Sequence, residues 1–291
     1  MEKLSVIIPT KNRPELLAKA LRSVLVQCYA DTEIIVVDDG DKVSAEGVVK
    51  GLSDPRIRYI VHEGAKGGSA ARNRGIKEAS GTYIAFLDDD DEWLPEKLAK
   101  QFVPFAQTPH DVGFSVTGVQ NVSDAYEFVS EAPEGTMDML PLLLTRFKAF
   151  LTSTLIVKRY VFDEIGMFDE TLPSHQEADL LLRIAQVYKG FAYSGPLVRM
   201  NMQDTRGDHI GGNIARRIAG REMLLEKHKA LYLHHAHLYA KLYFWLAIWC
   251  RDSGALGKAK QYFWTAFTLS WNPRYLAHYL LVFYKKDFVC Q

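Results

Sequence analysis

The 291-residue chain has only three cysteines, Cys28, Cys250 and Cys290, far apart and without any CxxC spacing. Their odd number and spacing argue against a disulfide framework or a zinc ribbon and fit a reducing compartment. Neither sign of charge is in excess, with 35 Lys+Arg against 35 Asp+Glu, so this is not a chain that coats nucleic acid. Long hydrophobic runs are missing as well. The nearest, around Leu242 to Cys250, is about half of the roughly 18 apolar residues that a membrane-spanning helix needs. Met1-Glu2-Lys3 leads straight into a strand-like segment, without the apolar stretch and cleavage site of a secretory signal. A cytoplasmic protein is expected, with any membrane contact peripheral and at the inner face. Two common nucleotide-binding spacings are also absent, GxxxxGK[ST] and a GxGxxG opening the first crossover.

What is present reads as globular, with 48% hydrophobic and 24% charged residues. The first hundred residues alternate short apolar runs with amphipathic stretches, the pattern of parallel strands joined by crossover helices. Strands are expected at 4–8, 33–37, 57–61 and 83–87. Asn12 with Glu15 reads as a capping box for a helix whose inner face is Leu16, Leu17, Ala20, Leu21, Val24 and Leu25. A second helix is expected over 69–79, ending before Gly81, a residue suited to a left-handed turn. From Val112 the pattern is mixed, with strand-like segments at 112–117 and 154–158 around a polar stretch at 121–135. From about Asn213 it becomes helical and aromatic, with Trp245, Trp249, Trp264 and Trp271. Part of it resembles one tetratricopeptide hairpin, but such units need neighbours to bury their faces, so an all-helical cap is the reading. The expected division is an α/β domain over 1–212, a mostly parallel sheet flanked by helices, and a helical cap over 213–291.

In open α/β sheets ligands bind outside the carboxyl ends of the strands. Two acidic clusters fall there, Asp38-Asp39-Gly40-Asp41 after the second strand and Asp88-Asp89-Asp90-Asp91-Glu92-Trp93 after the fourth. Aspartates at strand ends also make Asx turns or cap helices, and Asp91 or Glu92 could serve a helix near Pro95. Four consecutive carboxylates nonetheless repel one another unless a cation offsets them, and Mg²⁺ typically takes one or two carboxylates plus substrate phosphates. The segment from Gly64 to Gly75 adds a glycine-rich turn with Lys66 and Gly67, before a helix bearing Arg72 and Arg74. It suits phosphate contact through backbone amides and an arginine fork, and it equally suits a solvated loop.

Taken together these segments resemble the family-two glycosyltransferases with a GT-A fold. Four motifs in family order carry the resemblance over residues 4–98: Ser5-Val6-Ile7-Ile8-Pro9-Thr10-Lys11-Asn12-Arg13, Val36-Val37-Asp38-Asp39-Gly40, Ala71-Arg72-Asn73-Arg74-Gly75-Ile76 and Phe86-Leu87-Asp88-Asp89-Asp90-Asp91. The resemblance implies that Pro9, Thr10, Asp39 and Arg72 surround a nucleotide base. It also implies that Asp88 and Asp89 lie near the ribose and metal, and that Asp90 is the metal-binding member of a DxD motif. Asn12, Lys66 and Gly67 join the substrate-binding candidates. The implied donor is a nucleoside-diphosphate sugar, a UDP-sugar by default, used with Mn²⁺ or Mg²⁺. The implied acceptor is a glycan or lipid-linked molecule in cell-surface polysaccharide synthesis.

Inverting transfer needs a general base for the acceptor hydroxyl. The nearest match to the family's acidic segment is Gln176-Glu177-Ala178-Asp179-Leu180-Leu181-Leu182-Arg183, with Glu177 where the aspartate base is expected and Ala178 in place of the aromatic. Residues 177 and 179 point roughly 200° apart on a helix, so they do not share a role. Glu177 is the base candidate; Asp179 is either a substrate contact or the i, i+4 partner of Arg183. In the polar stretch after Met200, Arg206 or His209 would close over the diphosphate if the segment were a lid, and His209 is a further metal candidate. His234, His235 and His237 lack ligands at zinc spacing and read as a half-solvated helix face. The competing classes are a non-catalytic nucleotide-sugar binder or scaffold, and a sugar nucleotidyltransferase. The latter needs a glycine-rich, arginine-containing loop where Pro9-Thr10-Lys11-Asn12 stands. A receiver domain would have no place for the second acidic cluster. Aromatic and basic residues in the cap allow either peripheral membrane attachment or a protein partner.

Overall fold

A computed structural model describes residues 2–62, 64–123, 126–145, 150–201 and 213–284. These fall into two compact units. One holds residues up to 143, 150–170 and 176–201; the other holds 144–145, 171–175 and 213–284. Arg206 and His209 lie outside the described residues.

The first unit runs β1 (Leu4–Thr10), α1 (Pro14–Leu25), β2 (Thr32–Asp38), α2 (Glu46–Leu52), β3 (Ile57–Val61), α3 (Gly68–Glu78), β4 (Tyr83–Phe86) and β5 (Asp91–Trp93). After a π-helical turn at Leu98–Phe102 come α4 (Val103–Ala106), β6 (Val112–Val122), β7 (Glu127–Ser130), β8 (Gly135–Met137), α5 (Leu140–Thr145, its last two residues counted with the other unit), β9 (Ile156–Lys158), α6 (Tyr160–Ile165), α7 (Gln176–Ala185) and β10 (Lys189–Asn201). The sheet order is β3-β2-β1-β4-β9-β6-β10-β5, with β7 on β6 and β8 on β10. β3, β2, β1 and β4 are mutually parallel, so their carboxyl ends line one edge. β9 is antiparallel to β4 and β6, and β10 is parallel to β6 with several register shifts.

Every residue of β2 is buried, which is why it reads as a continuous apolar run. Leu17, Ala20, Leu21 and Val24 of α1 close over the core made by Val6, Ile8, Ile34 and Val36. α3 lies close on β1, because a Cβ on Gly75 would stand 2.4 Å from the Ile7 side chain. Gly81 is required for a different reason from the expected left-handed turn. Its φ is not positive, and a Cβ there would meet the Lys3 carbonyl oxygen at 2.7 Å.

The expected capping box is corrected too. Arg13, not Asn12, takes the cap position of α1 and makes no side-chain cap bond. Asn12 itself is left-handed, φ 57°, and its amide carbonyl accepts the backbone N–H groups of Lys42 and Val43 at 3.0 Å each. Asparagine tolerates that backbone region better than most residues.

The second unit contains α8 (Ile214–Lys227), α9 (Lys229–Leu233), α10 (Ala236–Asp252), α11 (Leu256–Ser270) and α12 (Pro273–Tyr284). Asn213 caps α8 by accepting the N–H of Arg216 at 3.1 Å. α10 and α11 pack through Phe244 and Phe263, and α12 adds Tyr275 and His278 to the same ring cluster. His234, His235 and His237 are all exposed.

Candidate active site

The strand ends of β1, β2 and β4 bring Thr10, Asp38, Asp39 and the run Asp88–Asp91 to one edge of the sheet. The two aspartates after β2 are occupied in building that edge. Asp38 accepts the N–H groups of Gly40 and Ala45 at 2.9 Å each and the hydroxyl of Tyr59 at 2.5 Å. Asp39 accepts the N–H of Lys66 at 2.9 Å and of Gly67 at 2.8 Å, with His62 Nδ1 3.0 Å away. The amides expected to meet a phosphate thus face the Asp39 carboxylate, and the Lys66 side chain is exposed. Gly67 has φ 98°, which sets the entry to α3 and suits glycine.

The four carboxylates after β4 meet four different environments. Asp88 pairs with the Arg72 guanidinium, and its N–H donates to Ser153 Oγ at 3.0 Å. Asp89 is buried, accepting the Thr10 hydroxyl at 2.8 Å with Arg13 at 3.5 Å. Burial pushes its carboxyl up to about 7, the charge of Asp90 adds to this, and the Thr10 bond and Arg13 oppose it. Asp90 lies 3.3 Å from Arg13. Asp91 does not cap a following helix as expected. It begins β5, is buried, and accepts the Ser153 hydroxyl at 2.5 Å. Burial, then the charges of Asp88 and Asp90, raises its carboxyl well above the usual range. Asp88 and Asp90 are therefore the more open pair, their side chains 30% and 22% exposed.

Arg72 sits largely buried over the Phe168 ring, 5.6 Å from its centroid. Burial works against its charge, but Asp88, then Glu177 and Asp90, outweigh it and raise the guanidinium above its ordinary value. Glu177, on α7, thus acts on the same cation as the acidic turn. Asp179 is fully buried and accepts Arg183 Nε at 2.9 Å, while Arg183 also donates to the carbonyls of Ile165 and Met167. Asp179 thus has the i, i+4 partner that helical spacing offers. Sequence reasoning missed Ser153, Arg13 as a partner of Asp89 and Asp90, and His62 beside Asp39. Arg13 lay inside a quoted motif; Ser153 carried no local signal.

A divalent metal fits this donor set in one way. Among the described residues no three His, Cys, Asp or Glu side chains are grouped to enclose a cation. Two part-open carboxylates at a strand end match the sharing of Mg²⁺ between protein and substrate phosphates.

The family model described as glycosyl transferase family 2 matches residues 5–166. WfgD of Escherichia coli, a UDP-Glc:alpha-D-GlcNAc-diphosphoundecaprenol beta-1,3-glucosyltransferase, is 42% identical over 98 residues, 34% of this chain and 39% of its own. The amylovoran biosynthesis glycosyltransferase AmsB of Erwinia amylovora is 30% identical over 220 residues, 72% of each chain. The solved mannosyltransferase PcManGT from Pyrobaculum calidifontis, in complex with GDP-Man and Mn²⁺, shares the fold with a TM-score of 0.60 at 18% identity, covering 100% of this chain and 88% of that one. The chain spans 28% to 39% of the length of several curated relatives that it matches.

Proposed function

The chain belongs to glycosyl transferase family 2, and from that premise we propose that it transfers a sugar from a nucleoside-diphosphate sugar to a hydroxyl of a glycan or lipid-linked acceptor, with inversion. One observation carries the reading: Arg72 is paired with Asp88 and Arg13 lies 3.3 Å from Asp90, so two guanidinium groups and two part-open carboxylates meet at the strand ends. A UDP-sugar is the default donor, supported by the donor in the name of WfgD; the diphosphoundecaprenol in the same name supports a lipid-linked acceptor.

In this reading Pro9, Thr10, Asp39 and Arg72 surround the base. Asp39 acts by holding the turn of Lys66 and Gly67 in place. Asp89 faces the ribose side, kept in position by Thr10. Asp88 and Asp90 would hold Mn²⁺ or Mg²⁺, which when bound supplies countercharge to the departing diphosphate. The Mn²⁺ of the PcManGT complex supports this. Arg13 balances the turn from the side of Asp89 and Asp90.

Glu177 accepts the proton of the acceptor hydroxyl as its oxygen attacks the anomeric carbon from the face opposite the diphosphate. The new glycosidic C–O bond forms, the bond from that carbon to the phosphate oxygen breaks, and its electron pair leaves with the diphosphate. Incubation with UDP- and GDP-sugars, Mn²⁺ or Mg²⁺ and a panel of lipid-linked and free glycans tests the reading. Transfer that disappears in Glu177→Gln supports it, and failure to bind any nucleoside-diphosphate sugar sinks it. Donor binding without turnover on any acceptor would favour the non-catalytic binder instead.

A further inference from the structure

The neutral total charge hides a strong polarity along the chain. Residues 213–291 carry twelve Lys+Arg against four Asp+Glu, whereas residues 1–212 carry twenty-three against thirty-one. From Ser253 to Tyr284, through α11 and α12, there is no acidic residue at all. Such an asymmetry points to an anionic partner for the helical unit.

The same helices leave large apolar side chains exposed to water. Phe263, Ala259 and Ala266 of α11 are buried, while Trp264 is 47% exposed. Trp264 touches Tyr279 of α12 and Phe267, and Phe267 touches Trp271, so an aromatic row runs along the surface. Lys260 precedes Trp264 by four residues and shares its face of the helix. On α12, Leu280 and Leu281 are 51% and 60% exposed. Trp271 is 74% exposed at φ 52°, a left-handed backbone that is uncommon for a bulky side chain. That backbone closes the end of α11, its N–H donating to the Phe267 carbonyl, and it leaves most of the indole facing water.

We propose that the outer face of α11 and α12, centred on Trp264, Trp271, Leu280 and Leu281, docks on the surface of an anionic lipid bilayer. Tryptophan and tyrosine favour the boundary between headgroups and acyl chains, and lysine and arginine around them are attracted to anionic lipid. No helix among the described residues is long and apolar enough to cross a membrane, so the face lies on the surface. A second copy of this chain is a poorer occupant, because apposing two such faces brings like charges together. The inference rests on composition and exposure in the helical unit and does not depend on the transfer reaction.

Sedimentation of the full chain with lipid vesicles tests it. Affinity for vesicles containing about 30% phosphatidylglycerol is expected to exceed that for pure phosphatidylcholine by about tenfold or more, and to fall at about 0.5 M salt. Brominated acyl chains should quench the tryptophan emission. Trp264→Ala/Trp271→Ala is expected to weaken binding about fivefold or more. Lys260→Glu/Arg274→Glu should remove the preference for anionic lipid, with the circular dichroism unchanged; a glutamate near the start of α12 suits the helix dipole. Absence of vesicle binding, equal binding to neutral vesicles, or binding that neither variant alters overturns the proposal. So does a concentration-dependent oligomer that Trp271→Ala dissociates, without lipid binding.

Discussion

Ser153 and Asp91 are joined by a hydrogen bond of 2.5 Å, the serine hydroxyl donating to a carboxylate buried beneath the acidic turn. The same hydroxyl oxygen accepts the N–H of Asp88, and the Ser153 carbonyl accepts the Trp93 indole N–H at 3.0 Å. One residue from the segment before β9 therefore fixes both ends of the run.

Removing that hydroxyl leaves a buried carboxylate and a backbone N–H without their partner. Ser153→Ala is expected to destabilise the chain by about 1–3 kcal/mol, the range for unsatisfied buried polar groups. Urea unfolding measures it, and an unchanged midpoint contradicts the role.

Arg72 is ion-paired with Asp88, and the charges of Glu177 and Asp90 further favour its charged form. Arg72→Ala should weaken donor binding by about tenfold or more, a loss of about 1.4 kcal/mol or more. Calorimetric titration with the nucleotide sugar gives the value, and wild-type affinity in the variant would remove Arg72 from the donor site.

Lys97 is fully buried, with its ammonium donating to Gln101 at 2.5 Å and lying 5.0 Å from the Trp93 ring centroid. Burial holds its amine well below the ordinary lysine value. The folded chain then binds fewer protons than the unfolded chain, so this group makes stability rise with pH. The window runs from the lowered folded value up to the unfolded one near 10.4, at up to about 1.4 kcal/mol per pH unit. Lys97→Met is expected to flatten that rise in thermal or urea unfolding across pH, and an unaltered slope contradicts it.

The α/β half was legible where burial is continuous. β1 to β4 fall within two residues of their expected ends; β1, β2 and β4 read as apolar runs because they are buried almost throughout, and the half-exposed edge strand β3 because of its β-branched and aromatic residues. Local rules failed where a side chain answers to distant sequence. Asn12 reads as a helix cap but is taken by backbone donors 30 and 31 residues later, and Asp91 is claimed by a serine 62 residues away. Past residue 112 the strands pair both parallel and antiparallel, and β10 carries register shifts around Tyr193 and Pro196, which blur any period of two. The Asp179 to Arg183 pair, set only by helical spacing, was visible in advance.

Glu177 separates binding from chemistry. Glu177→Gln should keep donor affinity while lowering kcat by about 10²–10⁴, the range for a positioned general base. A variant that turns over normally would require another base.

The acidic run decides the account as a whole. Calorimetric titration of nucleoside-diphosphate sugars with and without Mn²⁺, in the wild-type chain and in Asp90→Ala, is the most direct measurement. Metal-dependent donor binding that is lost in Asp90→Ala is the expected result, and binding that is unchanged by the substitution would contradict a metal-held sugar diphosphate at this sheet edge.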